Sequence, residues 1–94
     1  MMYPYIVFHG TEEREDIEVT HSHLLNKNGV QTVEVHFERA TDSGFDTARC
    51  ELPYYQWLIQ DGFSDSEIIY FEEFLKNNAH LIFKFAEKGG ISCA

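Results

Sequence analysis

Two histidines stand one residue apart in Thr20-His21-Ser22-His23, within a stretch that otherwise alternates like a β-strand. On a strand, residues i and i+2 point the same way, so both imidazoles would share one face, as a metal site requires. A bound divalent ion there would supply a Lewis acid and an activated water, the working parts of a small metal-dependent enzyme. Such a centre needs three or four converging ligands and further groups that orient them. The other histidines do not converge. If the first strand pairs antiparallel with the second, His9 falls opposite Ile17, about 13 Å along the strand from His21. His36 projects from the opposite face, and His80 belongs to a later helical segment. His21 and His23 are thus metal candidates without a third ligand, and the pattern calls for no cofactor. In the same pairing Tyr3 and Tyr5 stand beside His23 and His21, close enough to form a small pH-sensitive polar cluster.

Nucleophilic catalysis finds its residue types but not its spacings. The chain has no G-x-S-x-G elbow, no H-E-x-x-H, no phosphate-binding glycine loop and no dinucleotide fingerprint, and Gly89-Gly90 follow a helical segment rather than open one. No residue is assigned a catalytic role. The segment Glu12 to Glu18 (EEREDIE) gathers Glu12, Glu13, Glu15, Asp16 and Glu18. A calcium loop would need alternating oxygen ligands about a central glycine, which this segment lacks, so it reads as a solvated loop or a partner-recognition surface. Tyr54 to Trp57 (YYQW) groups three aromatic rings beside Pro53, suited to core packing or to anchoring a protein contact.

These residues must be positioned by one small domain spanning residues 1–94, with 44% hydrophobic and 15% aromatic residues and no linker or repeat. Sixteen acids against seven bases give a formal charge of −9, which opposes direct attraction to nucleic acid and to anionic lipid. Neither a signal sequence nor a membrane-length apolar run is visible. Cys50 and Cys93 form no disulfide framework, which favours a reducing cytosol.

Tyr3 to His9 predicts a first strand, Ile17 to Leu25 a second, Val30 to Arg39 a third and Phe45 to Leu52 a fourth. A three-residue Lys27-Asn28-Gly29 loop would pair His23 with Val33, His21 with Val35 and Val19 with Phe37, placing both histidines on the buried side; a two-residue Asn28-Gly29 turn would instead set Thr20 and Ser22 beside Phe37 and Val35 and scatter the apolar groups, so the first is preferred. Tyr54 to Gly62 fits a short helical turn, with a fifth strand as the alternative. Ser64 and Glu67 make a capping box, and Phe63 with Ile68 a hydrophobic staple, so a long helix begins there. Asn77-Asn78 marks a potential kink, and Gly89 with Ile91 a glycine-terminated end.

The expected fold is α+β: a four-stranded antiparallel meander, a short helical turn, and a long C-terminal helix packed on one sheet face. The expected function is a small acidic cytosolic protein-binding accessory or regulatory domain rather than an enzyme, with an unidentified protein or a second copy as partner. Its interface would draw on Tyr54, Tyr55, Trp57, Tyr70 and Phe74, with Glu18, Glu34 and Glu38 extending the acidic loop over the outer sheet face. A DNA-mimicking inhibitor, whose carboxylates imitate phosphates, is the alternative of a second class. A metal-dependent enzyme using His21 and His23 is that of a third.

Overall fold

The alternating segments Val30–Thr41 and Gly44–Leu52 form the two longest strands, and the fold is built outward from their pairing. The computed structural model describes residues 1–89. Strands β1 (Met2–Phe8), β2 (Ile17–Ser22), β3 (Leu25–Lys27), β4 (Val30–Thr41), β5 (Gly44–Leu52) and β6 (Gln56–Asp61) precede one helix, α1 (Asp65–Lys88). They form an antiparallel sheet in the order β1-β2-β4-β5-β6, with β3 also paired to β4. The class is α+β with the helix on one face, but the strands number six, not the expected four.

Part of the difference is Gln56–Asp61, a strand where a helical turn was expected. Pro53 to Tyr55 reverse the chain, with Tyr55 in a left-handed conformation (φ 54°). The segment then meets the open edge of β5. Tyr55, Leu58 and Ile59 fit helical spacing, but so short a helix is marginal in water. Pairing instead sets Trp57 over Phe37, with ring centroids 6.0 Å apart.

The rest of the difference is a broken second strand. Asn28 and Gly29 both take positive φ, 54° and 84°, and make a two-residue turn whose twist suits a hairpin, so Lys27 pairs with Val30. Farther along, the expected register holds, with His21 opposite Val35 and Val19 opposite Phe37. Ser22 to Leu24 on one side therefore face only Val33 and Glu34 on the other, and the extra residue separates β3 from β2. The turn favours one register and the apolar face favours the other; the irregularity satisfies both. His23 consequently leaves the buried side: His21 is fully buried and His23 is exposed.

Two further bulges lie on the outer strands. Tyr5 is the extra residue between the pairs Pro4–Thr20 and Ile6–Val19, and Leu58 between Arg49–Ile59 and Cys50–Trp57. The β1 pairing is already one residue off that expected at the loop end, where Phe8 rather than His9 faces Ile17, and the bulge at Tyr5 adds a second, so that Tyr3 faces His21 rather than His23.

Helix α1 begins as a capping box should. Ser64 Oγ accepts from the Glu67 amide at 3.2 Å, and Glu67 Oε1 accepts from the Ser64 amide at 2.9 Å. It ends at Gly89 in a left-handed cap (φ 81°) whose N–H donates to Phe85 and Ala86 carbonyls. Ile91, expected to complete that cap, and Cys93 lie outside the described residues. The helix is continuous through Asn77-Asn78: the Asn78 amide donates to the Phe74 carbonyl at 2.9 Å, and its oxygen accepts from the Tyr5 hydroxyl at 2.7 Å.

Ile68, Phe71, Leu75, Ile82 and Ala86 of α1 close over Val19, Val33, Val35, Phe37, Ala48, Cys50 and Leu52 of the sheet. Phe37 and Phe71 stack at 4.2 Å and 7° at the centre, and burying such a ring contributes about 1.5–3 kcal/mol. The helix covers one face only; the other carries the alternate residues of every strand.

Candidate functional site

A concavity of about 830 Å³ opens where loop 10–16, the β4–β5 turn and the start of α1 meet. Its floor is Arg39. This residue shares the inward parity of Val33, Val35 and Phe37, so the strand pattern drives a guanidinium to the end of the core, where it is only 7% exposed. Nε and Nη2 donate to Asp46 Oδ2 at 3.0 and 2.8 Å, Nη1 donates to Glu67 Oε2 at 2.6 Å, and the group lies 4.8 Å over the Phe63 ring. Burial would lower the Arg39 pKa, but the bonds to Glu67 and Asp46 outweigh it and raise it. Burial likewise would raise the Glu67 carboxyl, yet the bonds from Arg39 and Ser64 hold it below the usual carboxylate range. Gly62 (φ 96°) completes the corner, since a Cβ there would collide with the Asp46 carboxylate.

Above this floor the acidic loop is ordered by its own bonds. The Gly10 amide donates to Asp16 Oδ1 at 2.7 Å, and the Thr11 amide to the Arg14 carbonyl at 3.0 Å. Arg14 reaches Glu67 at 3.5 Å. Glu12, Glu13, Glu15, Asp16 and Asp42 rim the opening. Every polar atom of the Arg39 guanidinium is thus engaged, and the cleft is an ion-paired corner joining β4, β5 and α1.

The metal candidates separate. His21 Nδ1 donates to the Ser22 carbonyl at 2.8 Å, Nε2 is buried without a hydrogen-bond partner, and the imidazole centroid lies 5.7 and 6.3 Å from those of the Tyr3 and Tyr5 rings. His23 is in solvent. Among the described residues, no group of three or more His, Cys, Asp or Glu side chains is placed to hold a metal ion.

The five candidate interface rings divide between the two flanks of the helix. Tyr70 and Phe74 meet Phe8 of β1 at 5.6 and 4.9 Å. Trp57 lies on the β6 side, its Nε1 donating to Glu72 at 2.9 Å. Tyr54 and Tyr55 occupy the β5–β6 turn, the first 55% exposed and the second half-buried against the core. On the β1 flank the rings continue into residues that the sequence reading passed over. Tyr70 is 60%, Ile6 44% and Val7 41% exposed, and β1 carries no charged side chain. An apolar band therefore wraps the outermost strand.

On the uncovered sheet face, Glu18 stands opposite Glu38 and Glu34 opposite Glu51, as like charges across strands. Between these rows runs another, with His36 opposite Arg49. His36 donates to Glu34 at 3.0 Å, and Lys27 pairs with Glu51. Acids and bases therefore alternate by row across the face.

Arg39, Ile6 and Val7 were not singled out in the sequence, although Arg39 carried a signal in its parity with the inward residues of VEVHFER. The exposure of Ile6 and Val7 follows from the bulge at Tyr5, which no local pattern announces. No family model matches the chain, and comparison with curated proteins and with solved structures found no match either.

Proposed function

We propose that this protein is a small acidic accessory or regulatory module that acts by binding another protein, with the apolar band around β1 as its docking surface. One observation carries the reading: Ile6, Val7 and Tyr70 are 44%, 41% and 60% exposed on and beside a strand without charge, directly before a loop that bears Glu12, Glu13, Glu15 and Asp16. Aromatic and aliphatic groups with acids at the rim are the usual composition of a protein-contact core and its margin. Cys50, buried and unpaired, accords with a reducing compartment such as the cytosol. No helix among the described residues is long and apolar enough to cross a membrane.

The DNA-mimic reading draws less support, because His36 and Arg49 interrupt the carboxylates of the outer face. A mimic needs a contiguous negative surface at phosphate-like spacing. A metal-dependent enzyme draws least, with His21 buried and His23 in solvent.

Immobilised wild-type protein and a Val7→Asp/Tyr70→Asp variant, both checked for folding by circular dichroism, provide the test. Proteins captured from a lysate by the wild type are expected to be lost with the variant. Equal retention by both would sink the assignment of this surface.

A further inference from the structure

The bulge at Tyr5 leaves a specific mark on the docking surface. Tyr5 turns inward, where its hydroxyl bonds Asn78 and its ring packs at 5.9 Å on Phe74. At this bulge a depression of about 290 Å³ lies between β1 and β2, lined by Pro4 to Val7 on one strand and Glu18 to Thr20 on the other, Tyr5 included. Its lining is mainly apolar, with room for an aliphatic side chain. Its one charged member is Glu18, which is exposed and stands opposite Glu38. Only the Phe8–Ile17 pair separates Glu18 from the loop that bears Glu12, Glu13, Glu15 and Asp16. The depression is thus an apolar socket with a negative margin on one side.

We infer that this socket receives a segment of a partner protein in which an aliphatic residue is flanked by lysine or arginine, the aliphatic group entering between Pro4 and Val7 and the basic groups meeting Glu18 and the loop acids. The inference rests on reading the β1 band as a protein-docking surface, and it names the chemistry of what docks there. Charge complementarity selects the occupant. A second copy of this chain brings sixteen acids and seven bases to the same negative margin, so self-docking meets repulsion where a basic segment meets attraction. Pro4 and the bulge also interrupt β1 as a template for strand addition, which leaves side-chain insertion as the main mode of contact.

The test is an NMR titration of the full isotope-labelled chain, which detects millimolar binding, with three synthetic peptides on one template. In each, a Leu-Ile pair is flanked by Lys-Arg, by Glu-Asp, or by Ser-Gln. The basic peptide is expected to shift the amides of Ile6, Val7, Glu18 and Thr20, and to bind about fivefold more weakly to Glu18→Lys. Val7→Asp should abolish the shifts.

If the acidic or uncharged peptide binds this surface as well as the basic one, or if only concentration-dependent self-association shifts these amides, the basic segment is refuted while the docking surface stands. If the basic peptide shifts amides elsewhere, the socket is refuted. If neither peptide nor self-association perturbs β1, the inference fails, and so does the docking surface beneath it.

Discussion

At Arg39 one guanidinium joins a strand end, the neighbouring strand and the first turn of the helix, through Asp46 and Glu67. Removing one partner of a buried pair leaves a charge without compensation and typically costs 3–5 kcal/mol, about 1–3 kcal/mol where a partner is partly in solvent as Glu67 is. Glu67→Gln keeps the capping geometry but removes the charge, so it isolates this contribution. Folding lowers the Glu67 pKa, so its stabilisation is complete above the unfolded value of about 4.3 and is lost as pH falls through the lower folded value. Urea unfolding of the wild type is expected to show that loss in the acid range, with a shallower loss in Glu67→Gln. Parallel pH profiles would show that the ion pair contributes nothing.

Cys50 offers a second test at this scale. Burial first, then the charges of Glu72 and Glu51, push its thiol up to about 12. The reactive species is the thiolate. Peptide mapping after thiol labelling should find Cys50 unmodified in the native protein and modified once denaturant is added. Rapid native labelling would contradict its burial.

Among the elements, the helix start was the most legible in the sequence, because a capping box and staple involve only residues within a few positions of each other. Ser64→Ala removes the acceptor for the Glu67 amide and should lower stability by about 1 kcal/mol in chemical denaturation. A loss under a few tenths would place the determinant of the helix start elsewhere. The β4–β5 pairing was legible too, since Val33, Val35 and Phe37 alternate cleanly against Ala48, Cys50 and Leu52. Strand β6 was not, because Tyr55, Leu58 and Ile59 satisfy both periods and only the open edge of β5 decides between them. The split of β2 from β3 escaped for a related reason. The turn at Asn28-Gly29 and the apolar face each imply a valid register, and the sequence does not say that both are used. The candidate site was half visible: Tyr70 and Phe74 could be named from sequence, whereas Ile6 and Val7 became surface residues through the bulge at Tyr5.

At the scale of the whole molecule, the balance of charge sets the behaviour. A formal charge of −9 on 94 residues places the compact state under self-repulsion. The Arg39 network is largely shielded from solvent ions, whereas the acids of the loop and outer face are open to them. Raising sodium chloride from about 20 mM to about 500 mM should therefore raise the melting temperature by about 2–5 °C. An unchanged or lower value would mean that surface pairs such as Lys27–Glu51 and His36–Glu34 outweigh the repulsion.

The uncharged sequence of β1 also matters before any fold exists. Met2–Phe8 reads MYPYIVF, rich in the side chains that favour cross-β stacking. In a newly made or unfolded chain this segment is the most adhesive near the amino end, and Pro4 is the one residue within it that hinders growth of a fibril. The acids from Glu12 to Glu18 follow directly, where clustered charge acts as a gatekeeper against coalescence of neighbouring chains. Neutralising Glu12, Glu13 and Glu15, and sparing Asp16, which holds the Gly10 amide, should leave the native structure intact while lowering the yield of refolding at high protein concentration, a benefit of the loop that belongs to the unfolded ensemble rather than to any bound state.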